Sequence, residues 1–205
     1  MPSSSHDASR PDASLASAEL SAAVAEYRET ANIAALLSRL DAIAGASDLD
    51  ALIAAAEPYR EIPEVAGPLY ERVVDARPND AHALVILANA YWLTGRGPDV
   101  VGDLASRAIA ADPSHRGAWH LWALSESSPR ERTARWQQVT ERFPLDDLAK
   151  ANLADNAASL AGAEGDPSAL ALAIGTYESL LRTAEREEQR AALRKAIETL
   201  RKWRI

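Results

Sequence analysis

Three stretches of this chain read PEVAGPLYERVVDARP (63–78), PDVVGDLASRAIAADP (98–113) and PRERTARWQQVTERFP (129–144). Each opens on a proline and closes on another fifteen residues later, and the residue seven places in is Tyr70, Ala105 and Trp136 in turn. Proline lacks an amide hydrogen and clashes with the preceding turn, which costs a helix interior about 3 kcal/mol. At the first helical position neither penalty arises, because that amide has no partner within the helix and the fixed φ suits it. Just past a helix, proline stops propagation. Pro63, Pro98 and Pro129 therefore mark helix starts, and Pro78, Pro113 and Pro144 mark helix ends. Fifteen residues make about four turns, an ordinary length for a packed helix. A mark that recurs three times is an internal repeat, and it predicts an all-α solenoid of antiparallel helix pairs, about ten or eleven helices in all.

The composition agrees. The 205 residues are 47% hydrophobic and 25% charged, a balance that suits a folded chain and not a disordered one. Aromatic residues are 5% of the total while alanine is plentiful, which favours close-packed helices over strands. Cysteine is absent, so disulfides, thiolate catalysis and cysteine metal sites are excluded. No run approaches the ~18 apolar residues that span a bilayer, and Met1 to Ser14 lacks the basic start and apolar core of a signal peptide. The expected location is cytoplasmic. A net charge of -8 opposes nucleic-acid phosphates. Residues 182–205 carry eight basic side chains against four acidic ones, so the remainder holds -12 and the C-terminal end is the only basic region.

Four segments are expected. Residues 1–14, rich in Ser, Asp and Pro, read as a disordered tail. Residues 15–45 read as a helical hairpin or cap, with Leu20, Val24 and Tyr27 on its first helix and Ile33, Leu36, Leu37, Leu40 and Ile43 as one apolar stripe on its second. Residues 46–184 hold the repeats. Ser47 with Asp50 resembles a capping box opening the first of their helices, and Ser128 with Glu131 resembles another around Pro129. Residues 185–205 read as a capping helix striped by Leu193, Ala196, Ile197, Leu200 and Trp203, with acids near its start and bases near its end to match the helix dipole.

Between the prolines, Leu84, Leu87, Ala88 and Tyr91 are followed by Val101, Ala105 and Pro113. Ala66, Tyr70 and Pro78 stand before them, and Trp119, Trp122, Ala123, Arg132, Trp136 and Pro144 after. Leu153, Ala154, Ala157, Ala173 and Tyr177 form a fourth unit whose register has slipped relative to Pro167. This pattern resembles the tetratricopeptide repeat (TPR), whose signature is W-x2-L-G-x2-Y, then A-x3-F, then P over about 34 residues. Ala105 and Arg132 depart from it, since bulk and a small residue are usual there. The half-a-TPR variant is the neighbouring pattern.

Catalytic chemistry finds no foothold. His6, His82, His115 and His120 lack the i, i+4 spacing of a zinc helix, Gly95 and Gly97 lack the rest of a phosphate loop, and no Gly-x-Ser-x-Gly elbow exists. No enzyme activity, cofactor or metal is expected, and paired acids such as Asp146 with Asp147 read as helix caps. The basic end offers contacts to an acidic partner or RNA, but a dipole-matched, solvated helix end is the favoured reading and no nucleic-acid partner is expected.

The resemblance implies a protein-binding adaptor or scaffold with a concave groove lined by the first helix of each pair. Placed on this sequence, the groove residues are His82, Val85, Asn89, Trp92, His120, Leu124, Leu148, Ala151 and Asp155. Relatives that clamp a peptide carboxylate use Lys, Arg and Asn there. Only Asn89 fits, so a mostly apolar peptide groove is expected, with the Asn89 amide holding a backbone. The alternative is a structural module that self-associates as a homo-oligomer, or whose groove its own N-terminal helices fill; an enzyme whose site is hidden from linear motifs is a remote third. Trp119, Trp122 and Trp136 read as core, and Trp92 stands evenly between core and groove.

Overall fold

The computed structural model describes residues 10–205, and every regular element among them is helical. In order these are α1 (Arg10–Thr30), α2 (Ile33–Ala46), α3 (Leu49–Ala56), α4 (Pro63–Ala76), α5 (Ala81–Leu93) and α6 (Pro98–Ala111). Then come α7 (Arg116–Leu124), α8 (Pro129–Arg142), α9 (Asp147–Glu164), α10 (Pro167–Thr183) and α11 (Glu187–Arg201). A single 3-10 turn, Glu57–Tyr59, follows α3.

Two compact units result, one ending at Ala118 and the other running Trp119–Ile205. In the first, α1 packs on α2 and α3, α2 on α4, α3 on α4, α4 on α5, and α5 on α6. In the second, α8 packs on α9, α9 on α10, and α10 on α11. Short connections make neighbours antiparallel, and the first unit's additional contacts between next-but-one helices are those of stacked hairpins.

The prolines act at both ends of their helices. Pro63, Pro98, Pro129 and also Pro167 open α4, α6, α8 and α10. At the other end, the residue ahead of each closing proline is the C-cap: Arg77, Asp112 and Phe143, with φ of -130°, -140° and -125°. A proline ring crowds a helical predecessor and forces it out of the helical region, so the helix stops one residue early. Each cap still donates its amide back into the helix, to the carbonyls of Val73 (2.7 Å), Ala108 (2.8 Å) and Val139 (2.8 Å). The same turn then closes three times, as Asp80, His115 and Asp146 donate to the carbonyls of Arg77, Asp112 and Phe143 at 3.1, 3.1 and 3.0 Å. Asp80 and Asp146 also start the following helix, their carboxylates accepting the amides of Ala83 (3.0 Å) and Ala149 (3.1 Å).

Several details differ from the sequence reading. The stretch expected as a tail through Ser14 is already helical from Arg10, because Pro11 falls in the first turn of α1, where a missing amide carries no cost. Residues 1–9 of that expected tail, His6 among them, lie outside the described residues. Ser47 does not open α3. Its amide bonds to Ile43 as the end of α2, and Asp48 takes the cap by accepting the Ala51 amide at 2.8 Å. At Pro129, Ser128 accepts from the Glu131 amide, but its own amide goes to Glu126 (2.9 Å) and not to Glu131. The stripe on α2 divides as well: Leu36, Leu40 and Ile43 are buried, whereas Ile33 and Leu37 are more than two-fifths exposed.

Buried Val65, Ala66, Leu69, Tyr70, Val73 and Val74 hold α4 in the stack even though Pro68 interrupts its interior hydrogen bonding. In the second unit, Trp136 is wholly buried among Ala123, Val139, Ala149 and Leu153. Tyrosine hydroxyls add clamps onto the element before: Tyr70 donates to Glu57 (2.9 Å), Tyr91 to Glu71 (2.7 Å) and Tyr177 to Asp155. Burial first, then the carboxylate it bonds, pushes the Tyr91 phenol up to about 12, and the same causes raise Tyr70 and Tyr177.

A phenol that holds its proton more tightly when folded contributes stability that is complete below its unfolded pKa of about 10 and lost above it. Thermal stability should therefore fall as pH rises from about 10 towards 12, and Tyr91→Phe should flatten that decline in a pH series of melting curves. Trp136→Ala should cost about 3–5 kcal/mol in urea unfolding, as a large cavity in a closed core does. Ala31 joins α1 to α2 with φ of 53°, a left-handed conformation that favours glycine. Ala31→Gly should raise unfolding stability by up to about 1 kcal/mol in the same assay.

Candidate functional site

Buried Ala83, Leu84, Ile86, Leu87, Ala88 and Ala90 fix how α5 sits in the first unit. His82, Val85, Asn89 and Trp92, at steps of three, four and three, form one stripe along the same helix. His82 is exposed, Val85 and Asn89 are half-buried, and Trp92 is 40% exposed.

Each has a distinct surrounding. His82 places Nε2 3.3 Å from Glu57 Oε2, the oxygen that also accepts the Tyr70 hydroxyl, and Arg60 binds the other carboxylate oxygen. Burial pushes the Glu57 carboxyl up, but the hydrogen bonds from Arg60, Tyr70 and His82 together hold it below the usual carboxylate range. The His115 ring lies 6.3 Å from that of His82. Val85 faces the backbone at Gly117, where a Cβ would stand only 3.3 Å from its Cγ1, so glycine permits a close approach there. Asn89 makes no hydrogen bond among the described residues, so its amide keeps both donor and acceptor available. Trp92 is followed by Leu93, which is 58% exposed.

The second unit holds the other five expected residues. His120 is turned inward: its Nε2 lies 2.8 Å from Asp146 Oδ2, and its ring stands edge-on to Trp136 at 5.3 Å. The Asp146 side chain is only 4% exposed and also caps α9, so His120 ties α7 to the start of α9. Leu124 packs against the Trp136 cluster. On α9, Ala151 is half-buried, Leu148 is 61% exposed, and Asp155 is exposed while accepting the Tyr177 hydroxyl.

Sequence reasoning missed a clasp at the α7–α8 turn. Arg132, which departs from the repeat pattern, donates Nε to Asn156 Oδ1 (2.7 Å) and Nη1 to the Glu126 carbonyl (3.2 Å). Arg135 lies 4.6 Å over the Trp122 ring, donates to the Trp122 carbonyl (2.8 Å) and pairs with Glu126 (2.6 Å). The signal was present as two arginines spaced i, i+3 after a serine turn that contains a lone glutamate. Also unforeseen is a recess of about 230 Å³ walled by Ile33, Leu37, Pro63, Gly67, Pro68 and Tyr91.

Among the described residues, no group of three or more His, Asp or Glu is placed to hold a metal ion, and no helix is long and apolar enough to cross a membrane.

No family model matches the chain. No curated protein matches it either. Among solved structures it is similar to MamA, with 16% identity, coverage of 78% of this chain and 96% of that one, and a TM-score of 0.58. It is also similar to TTC0263, a thermophilic TPR protein of Thermus thermophilus, with 16% identity, coverage of 90% and 98%, and a TM-score of 0.53. Together with the proline-terminated hairpins, these likenesses show that the chain has a TPR-like, all-α fold.

Proposed function

We propose that this protein is a protein-interaction module whose α5 face holds a peptide or partner helix. The observation that carries this reading is a half-buried amide without a partner, Asn89, three residues from a two-fifths exposed tryptophan on a helix that is otherwise largely buried. A rigid helix presenting an indole and an amide gives a partner apolar contact area and a backbone hydrogen bond at low entropic cost. His82 extends the stripe by one polar group beside the Glu57 carboxylate. The two histidines of the expected groove each meet a carboxylate that organises helices, which favours binding over catalysis. The N-terminal hairpin packs through α1 on α2 and α3, an arrangement that supports its reading as one more hairpin of the first unit and not as an occupant of the α5 face. Self-association is a second reading, favoured by the exposed Leu145 (93%) and Leu148 (61%) of the other unit. Light scattering over a concentration series would return a growing mass in that case and a constant monomer mass otherwise.

Selection from a random peptide library tests the α5 reading. The wild-type protein should enrich one class of sequence. Trp92→Ala and Asn89→Ala should lose about tenfold or more in affinity for it while keeping the wild-type melting temperature. If Trp92→Ala unfolds the protein, or both variants bind as well as the wild type, α5 is not the docking face.

A further inference from the structure

A second surface lies in the Trp119–Ile205 unit and is independent of α5. Residues 182–205 carry four more basic than acidic side chains in a chain whose total is -8. On α11, Arg190, Arg194, Ile197 and Arg201 recur at steps of four, three and four, so they share one helix face. Together with Glu178, Leu181 and Arg182 of α10 and with Glu198, they line an open groove of about 680 Å³.

The four arginines differ in what they already hold. Arg190 donates to the carbonyls of Leu181 (3.3 Å) and Ala184 (3.0 Å), so it closes the end of α10 and belongs to the fold. Arg201 pairs with Glu178 at 2.7 Å and Arg194 with Glu187 at 2.9 Å. Both pairs are solvated, and such pairs exchange partners at little cost. Glu198 is engaged by Lys202 at 2.7 Å, which also holds its carboxyl below the ordinary range. Arg182 is exposed and has no partner among the described residues. Between these heads, half-buried Leu181 and buried Ile197 supply apolar floor.

We propose that this α10–α11 groove binds an acidic peptide segment: carboxylates meet Arg182, Arg194 and Arg201, and one aliphatic side chain rests on Leu181 and Ile197. Charge complementarity selects the occupant. Guanidinium forks match carboxylates in a bidentate manner, and a cationic rim within an otherwise acidic chain steers anionic partners to this one place. The volume exceeds what a single inorganic anion fills, and the apolar floor asks for a side chain. RNA suits the groove less well, because no aromatic residue lines it to stack a base and Glu178 and Glu198 would face its phosphates.

The test uses the full chain and a fluorescein-labelled twelve-residue peptide of repeating Glu-Glu-Leu, read by anisotropy. Binding should weaken as salt rises. Arg182→Glu combined with Arg194→Glu should weaken it by about tenfold or more without lowering the melting temperature. Should the double variant unfold, Arg182→Gln alone, which breaks no pair in the fold, should still give a measurable loss. A Glu-Glu-Ser peptide should bind more weakly than Glu-Glu-Leu, and Trp92→Ala should bind both as the wild type does, which separates this groove from the α5 face. The proposal is overturned if the peptide fails to bind at low salt, if the arginine variants retain full affinity, if the serine peptide binds equally well, or if a labelled oligouridine of the same length binds more tightly than the peptide.

Discussion

Crowding between a proline ring and the residue ahead of it is the constraint on which this architecture rests. Arg77, Asp112 and Phe143 are chemically unrelated, yet all three leave the helical backbone region, return their amide to the helix and open the same turn, because each is followed by proline. A fixed stop sets the helix length, and a fixed turn sets where the next helix begins. Side chains then refine the geometry: Asp80 and Asp146 accept amides of the helix they precede, so one residue ends the turn and starts the helix. Repetition of this local rule requires no long-range instruction, which is why a hairpin stack tolerates wide sequence drift.

Polar contacts between helices follow a second recurring habit. Tyr70, Tyr91 and Tyr177 sit on different helices, and each directs its hydroxyl at a carboxylate of an earlier element. Glu57 gathers three such donors, from Tyr70, Arg60 and His82, and thereby ties α3, α4 and the beginning of α5 to a single side chain. The α5 stripe is therefore presented by a helix fixed at its first turn. A helix held this way has little conformational freedom left to lose.

The fold was legible in the sequence because its controlling signals are local. Proline positions and helical spacing act within a few residues, and Pro63, Pro98, Pro129 and Pro78 mark boundaries as backbone sterics require. The contents of the site were legible only in part. His82, Val85, Asn89 and Trp92 share a stripe that helical geometry alone dictates. His120 meets Asp146 twenty-six residues away, and no spacing rule announces such a pair. Ile33 and Leu37 follow the apolar period of α2 but remain open, because α2 meets α4 through only part of its apolar arc. Arg132 looked like a fault in the repeat until Asn156, twenty-four residues on, gave it a partner.

The placement of the indoles has a practical side. Trp92 is the one tryptophan in the unit that ends at Ala118, while Trp119, Trp122, Trp136 and Trp203 belong to the other. Trp119 and Trp122 stand edge to face at 5.5 Å, close enough for their excited states to mix, and Trp136 is sealed from water. Near-ultraviolet dichroism will therefore be dominated by the C-terminal half, whereas acrylamide quenching will draw first on Trp92 and Trp203, the two exposed indoles. Dichroism thus follows the second unit through unfolding without an attached dye, and replacing Trp203 by phenylalanine would leave quenching to report on Trp92 and the first unit.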